Sequence, residues 1–179
     1  SMQLVLIDGL NLVRRIFAGV PQEDNNAEHA VGVLHALDRS ITRLLEATNP
    51  THALAVFDAP APTWRHTFHP QYKAGRPPMP PALAENMADV HGAFTTLGIT
   101  VCTVPGFEAD DVLATIAVKA GGAGAQTIVV STDKSMLGLL SSHIGVRHHF
   151  DNRDVTQPDV VARYGVMPQE LSTYLALIG

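Results

Sequence analysis

The 179-residue chain is 46% hydrophobic and 16% charged, the balance of one folded domain with a proper core and not of a disordered segment. Its single cysteine, Cys102, excludes an intrachain disulfide and offers no zinc pattern, which fits a reducing cytoplasm. A formal net charge of −5 counts against a generally basic nucleic-acid binder, so the placement of charge matters more than its sum.

The first apolar run, Leu4-Val5-Leu6-Ile7, is short and lacks a basic flank. It reads as a core strand, not as a signal peptide, and nothing else approaches the length of a membrane span. The run empties into Asp8. Asp8-Gly9-Leu10-Asn11 suits a strand-to-helix turn on backbone grounds alone. It also suits a phosphatase-type nucleophile, although Leu10 stands where that chemistry wants a second acid, and it suits a metal ligand. Helical periodicity in Ala30, Leu34, Leu37, Ile41, Leu44 and Leu45 predicts a first crossover helix over 27–48. A second strand, Leu54-Ala55-Val56-Phe57, ends at Asp58.

Residues 60–81 break the rhythm. They hold seven of the twelve prolines, and no acid occurs between Ala59 and Ala84. Trp64, Phe68 and Tyr72 are interleaved there with Arg65, His66, His69, Lys73 and Arg76. A loop of that length is functional or disordered, and an aromatic ring beside a cation is the pairing that single-stranded nucleic acid uses. A plain solvated basic loop is the other reading.

Beyond it, Leu83, Met87, Val90, Phe94 and Leu97 predict a helix, and 99–104 a strand leading through Pro105-Gly106-Phe107 to Glu108. Ala109, Val112, Leu113, Ile116, Ala117 and Ala120 predict a helix that Gly121-Gly122 ends. The strand Ile128-Val129-Val130-Ser131-Thr132 runs into Asp133, followed by a short helix and a strand over 146–150. Leu171, Tyr174, Leu175 and Ile178 make a last apolar stripe. Alternation of this kind predicts an α/β fold, a parallel-rich sheet with helices on both faces.

Asp8, Asp58, the trio Glu108, Asp110 and Asp111, and Asp133 thus stand at four successive strand ends. In an open α/β sheet these ends share one edge, where such folds build their sites. Each acid has an ordinary explanation of its own: turn residue, first-turn acid on a helix dipole, or N-cap. Together they predict oxygen-only ligation of Mg²⁺ or Mn²⁺ and an enzyme of phosphoryl transfer or phosphodiester cleavage. His66, His69, His148 and His149 lack zinc-site spacing, and no phosphate-binding P-loop is present.

The blocks Val5 to Arg15, Val56-Phe57-Asp58, Trp64-Arg65-His66, Tyr72-Lys73-Ala74-Gly75-Arg76, Glu108-Ala109-Asp110-Asp111-Val112 and Val130-Ser131-Thr132-Asp133-Lys134 fall in the order of the bacterial 5′-nuclease family. The chain resembles that family over essentially its whole length, most closely the small stand-alone exonuclease IX branch. The resemblance implies a PIN-like 5′-3′ exonuclease N-terminal domain over 2–179, with a Pro-rich arch at about 59–82. It also implies metal-dependent cleavage of DNA bearing a 5′ flap or single-stranded 5′ end, by a cytoplasmic monomer without membrane contact. By position, Asp8, Asp58, Glu108, Asp110 and Asp111 correspond to the first metal group and Asp133 to the second. Asp8, Asp58, Asp110 and Lys73 take catalytic roles, while Arg65, Tyr72, Lys73, Arg76 and Lys134 contact DNA.

Two departures accompany the resemblance. Ser135 stands where the family's fuller metal site has an acid. The glycine-rich helix–turn–helix that grips duplex DNA and can bind K⁺ is absent from the chain as given. A DNA-binding relative with weak or lost catalysis, a PIN-like ribonuclease, and the Asp8 phosphatase remain as alternatives.

Overall fold

Strand β1 (Gln3–Asp8) pairs in parallel with β2 (His52–Val56) on one side and β4 (Gln126–Val130) on the other, and so forms the axis of the sheet. The computed structural model describes residues 1–22, 24–59 and 79–178. Among these, six strands form one sheet in the order β3-β2-β1-β4-β5-β6. β3 (Thr100–Cys102) and β5 (Ile144–His148) pair in parallel with β2 and β4 respectively. β6 (Arg153–Val155) closes the other edge antiparallel to β5. The parallel-rich expectation therefore holds, with one reversed edge strand. Arg153–Val155 is too short to show an alternating pattern, and Asn152 makes the tight turn into it with φ at +48°.

Both faces of the sheet are covered, which is why its strands read as continuous apolar runs. The two-residue period of β1 sends Val5 and Ile7 to one face and Leu6 to the other. On the first face lie α1 (Gly9–Gly19), α2 (Asn26–Thr48), α3 (Pro81–Glu85) and α4 (Met87–Thr96), contributing Leu12, Ile16, Leu37, Ile41, Leu83 and Phe94 to that core. On the second lie α5 (Ala109–Gly122), the 3₁₀ turn Lys134–Leu139, α6 (Gln157–Tyr164) and α7 (Leu171–Ile178).

Several elements differ from expectation. Helix α1 occupies what reads as a turn. Its buried Leu12, Val13 and Ile16 against exposed Arg14 and Arg15 carry the helical period, over too few residues to stand out. The helix expected over Leu83 to Leu97 is two, divided at Asn86, whose Nδ2 donates to the Ala82 carbonyl at 2.6 Å. Helix α3 starts at Pro81, a residue the sequence leaves in the loop. β5 ends at His148, and Phe150 falls in a 3₁₀ turn packed toward the α1–α2 face. Leu171 of α7 is buried and Tyr174 and Leu175 lie against the second core, while Leu177 and Ile178 remain exposed. No helix among the described residues is long and apolar enough to cross a membrane.

Candidate acidic active site

The chain leaves β1 toward β2 on one side and returns to β4 on the other, so a topological switch point lies between β1 and β4. In open α/β sheets ligands bind outside the carboxyl ends of the strands at such a point. Asp8 ends β1 there and is buried, 7% exposed. One of its oxygens accepts from the Ser131 hydroxyl at 2.9 Å, and the other from the Asn11 amide at 3.4 Å. Ser131 directly follows β4, and its hydroxyl oxygen also accepts from the Asp133 amide at 3.1 Å. The Asn11 side chain reaches the same loop. It donates to the Thr132 hydroxyl at 2.8 Å and accepts from the Thr132 amide at 3.1 Å. Asn11 and Ser131 thus clasp the two strands that flank the switch point.

Three helical N-termini point into the group, each capped by one of its acids. Asp8 caps α1, and Asp133 caps the 3₁₀ turn by accepting from the Ser135 amide at 2.9 Å. Asp58 reaches across from the end of β2 to accept from the Ala109 amide of α5 at 2.7 Å. Glu108, at the N-cap position of α5, makes no such side-chain bond. Capping by Asp8, Asp58 and Asp133 is therefore real, and it leaves a role for the same acids in a site open. The partial positive charge of the helix starts offsets a little of the carboxylate repulsion.

What remains is large. Burial pushes the Asp8 carboxyl up to about 6, against the hydrogen bonds from Ser131 and Asn11, with smaller upward pushes from Asp58 and Asp133. Asp110, in the first turn of α5, is pushed up to about 7 by burial, by the charges of Asp8 and Asp133, by a hydrogen bond with Asp133, and by Asp58. A hydrogen bond that raises an acid is one its neutral form makes, so Asp133 favours the protonated form of Asp110. Four carboxylates from four segments share one field.

The structure brings Asp8, Asp58, Asp110 and Asp133 together. Glu108 is buried and Asp111 half-buried, and neither is among the charges that shift Asp8 or Asp110; both have partners of their own. Asp111 instead lines an apolar groove with Cys102, Val104 and Phe107. Lys134 and Ser135 are exposed beside Asp133. Arg65, Tyr72, Lys73 and Arg76 lie outside the described residues, as do Trp64 and most of the arch. The sequence reading misses Ser131, Asn11 and Thr132 as members of the site. Asn11 stood in the Asp8 tetrapeptide as a turn former and Ser131 in the block before Asp133, but a strand-to-strand clasp has no signature within either segment.

The donor set is all oxygen, and burial together with the neighbouring carboxylates pushes Asp8 and Asp110 well above the ordinary carboxylate range. That chemistry fits a hard divalent metal. Among the described residues, no three Asp, Glu, His or Cys side chains converge closely enough to form a finished cage.

Residues 3–165 match the model of the 5′-3′ exonuclease N-terminal resolvase-like domain. Flap endonuclease Xni of Klebsiella pneumoniae is 43% identical over the whole chain, which covers 68% of that protein. The Yersinia enterocolitica protein of the same name is 40% identical with the same coverage. A crystal structure of the bacteriophage T5 flap endonuclease, a pseudo-enzyme–product complex with DNA and metal ions, superposes with a TM-score of 0.64 at 20% identity. It shares the fold over 92% of this chain, which spans 61% of its length.

Proposed function

The chain belongs to the 5′-3′ exonuclease family, and from that membership we propose that it is the catalytic-type domain of a structure-specific DNA nuclease that hydrolyses phosphodiesters at 5′ ends or flaps. The observation that carries the reading is the gathering of Asp8, Asp58, Asp110 and Asp133 at the switch point, with Asp8 and Asp110 raised to about 6 and about 7. Acids that repel one another in the free protein are a site prepared for a cation.

Mg²⁺ or Mn²⁺ held by Asp8, Asp58, Asp110 and Asp133, with Glu108 and Asp111 assisting through water, would activate a water and stabilise charge on the scissile phosphate. The remaining work falls to the chain itself. Ser131 and the Asn11 amide fix both oxygens of Asp8, so its carboxylate is held in one orientation before any ligand arrives. Asp58, tied to the start of α5, fixes the helix that presents Asp110. Asp110, pushed up to about 7, would have to be ionised to hold a cation, so metal binding and proton release would be linked. Arg65, Tyr72, Lys73 and Arg76 of the arch sequence, with Lys134, would hold the substrate strand, Lys73 also taking a catalytic role. We take the working form to be a cytoplasmic monomer.

A second reading, a DNA-binding relative with weak turnover, is favoured by Ser135, an exposed hydroxyl beside Asp133. Labelled 5′-flap DNA, single-stranded RNA and a small phosphomonoester, each with Mg²⁺, Mn²⁺ or EDTA, separate the readings. Metal-dependent cleavage of the flap alone is the expected result. Cleavage of RNA or of the monoester in preference would overturn it, and tight flap binding without cleavage would select the second reading.

A further inference from the structure

Beyond the acidic group, the same edge of the sheet carries a cluster of opposite sign. β6 runs antiparallel to β5, so the start of β6 lies beside the end of β5, and His148 pairs directly with Arg153. Helix α6 then returns over this corner and brings Arg163 and Tyr164 to it at its last turn. Together these residues line a cleft of about 270 Å³, floored by Leu137 and Val160. Leu137 lies in the 3₁₀ turn that begins immediately after Asp133, so one short element borders both the acidic site and the cationic cleft.

The cleft is short of partners. Arg153 and Arg163 are exposed and make no ion pair among the described residues; the Arg163 guanidinium sits over the Tyr164 ring, 5.4 Å from its centroid. The Tyr164 hydroxyl is buried with no hydrogen-bond partner, an arrangement that costs free energy unless a ligand supplies one. The anionic side chain in the lining, Asp159, is already engaged, accepting from the Thr156 amide at 2.8 Å and its hydroxyl at 3.0 Å. Burial and the charges of Arg153 and Arg163 hold His148 below its ordinary value, with Asp151 pulling the other way. Burial and the neighbouring arginines disfavour a charge on His148, so the positive charge of the cleft rests on Arg153 and Arg163 and is offset only in part by Asp159.

We infer that this cleft, formed by His148, Arg153, Arg163 and Tyr164, is a phosphate-binding site that holds one backbone phosphate of DNA away from the scissile bond. The guanidinium forks of Arg153 and Arg163 would bracket phosphate oxygens, and the Tyr164 hydroxyl would donate to one of them. The inference rests on the nuclease reading for the source of the phosphate; the chemistry of the cleft is that of any phosphate monoanion or dianion.

The test uses the 179-residue chain in EDTA, so that cleavage does not intervene. Anisotropy of labelled duplex DNA with a 5′ single-stranded arm is measured at several salt concentrations for wild type, Arg153→Ala/Arg163→Ala and Tyr164→Phe. Inorganic phosphate is titrated in parallel, with the amides of His148 and Tyr164 followed by NMR. The double variant is expected to bind DNA several-fold more weakly, with a salt slope lower by about one to two. Tyr164→Phe should weaken binding less and leave the melting temperature unchanged or raised, because its hydroxyl has no partner to lose. DNA should perturb the two amides at far lower concentration than phosphate does. Wild-type affinity and salt slope in the double variant would overturn the site and leave the nuclease reading standing. A wild type that binds no DNA would overturn both, and a response to free phosphate but not to DNA would overturn the strand assignment.

Discussion

Asp110 shows how much one side chain says about a site of this kind. Its carboxyl is raised to about 7, and that of Asp8 to about 6, from an ordinary value of 3.8. An acid raised in the folded state contributes stability that is fully present below the unfolded value. That contribution is lost as pH rises through the folded one. The metal-free protein should therefore lose it between about pH 4 and pH 7. His91, His148 and His149 are all lowered, chiefly by burial, and act with the opposite sign as pH falls below 6.5. The carboxylate part is best read as a difference between proteins. Without metal at pH 8, Asp110→Asn should melt a few degrees higher than wild type, and the gap should close toward pH 4. Millimolar Mg²⁺ or Mn²⁺ should raise the wild-type melting temperature by mass action and that of the variant far less. A wild type indifferent to both metals would remove the shared site.

At the scale of elements, the position of Asp58 depends on the contact of α1 with β2. A Cβ at Gly9 would stand 2.5 to 2.8 Å from three atoms of the Phe57 ring. Gly9 does not have a positive φ. It is a glycine because Phe57 occupies the space a side chain would need, not because the turn demands a left-handed backbone. Phe57 is itself wedged against Phe94 and His91 of α4, at ring-centroid distances of 5.6 and 4.5 Å, and cannot retreat freely. Gly9→Ala is expected to cost about 1–3 kcal/mol as overpacking and to weaken metal binding by displacing Asp8 and Asp58, the neighbours of this contact. Adding Phe57→Leu to it should recover part of the loss, whereas simple additivity in the double-mutant cycle would place the strain elsewhere. The Asn11–Thr132 clasp is the corresponding link on the β4 side.

At the scale of the whole molecule, the acidic group lies at the β1–β4 switch point and the cationic cleft of β5, β6 and α6 farther along the described sheet. The basic sequence of residues 60–81 follows β2 in the chain. Lys73→Ala and Arg76→Ala should each weaken flap-DNA binding and lower its salt slope by about one; unchanged binding at several salt concentrations would remove the arch from the substrate path. Under the proposed reading, Ser135 beside Asp133 offers a second metal a neutral hydroxyl in place of an acid, and Mg²⁺ dehydrates reluctantly. Calorimetric titration without DNA should therefore give at most one tight Mg²⁺ site, and two tight sites would contradict this.

The strands that lead to acids and the parallel-rich sheet were legible in the sequence, because a buried parallel strand leaves a continuous apolar run and a polar residue follows its exit, whereas the order of the strands was not. The likeness of the Asp8, Asp58, Glu108-Ala109-Asp110-Asp111 and Ser131-Thr132-Asp133-Lys134 blocks to 5′-nucleases was equally a property of linear order. What linear order could not carry is which acids meet. Asp110 joins Asp8 while its neighbour Asp111 turns to a groove, since successive residues of a helix point about a hundred degrees apart and only the docking of α5 on β1 and β4 selects the face. The hydroxyl of Ser131, the clasp of Asn11, the antiparallel β6 and the pairing of His148 with Arg153 belong to the same class. The first two join residues distant in sequence that come together only when the sheet closes around β1, whereas the last two are a local hairpin whose short second strand leaves no pattern.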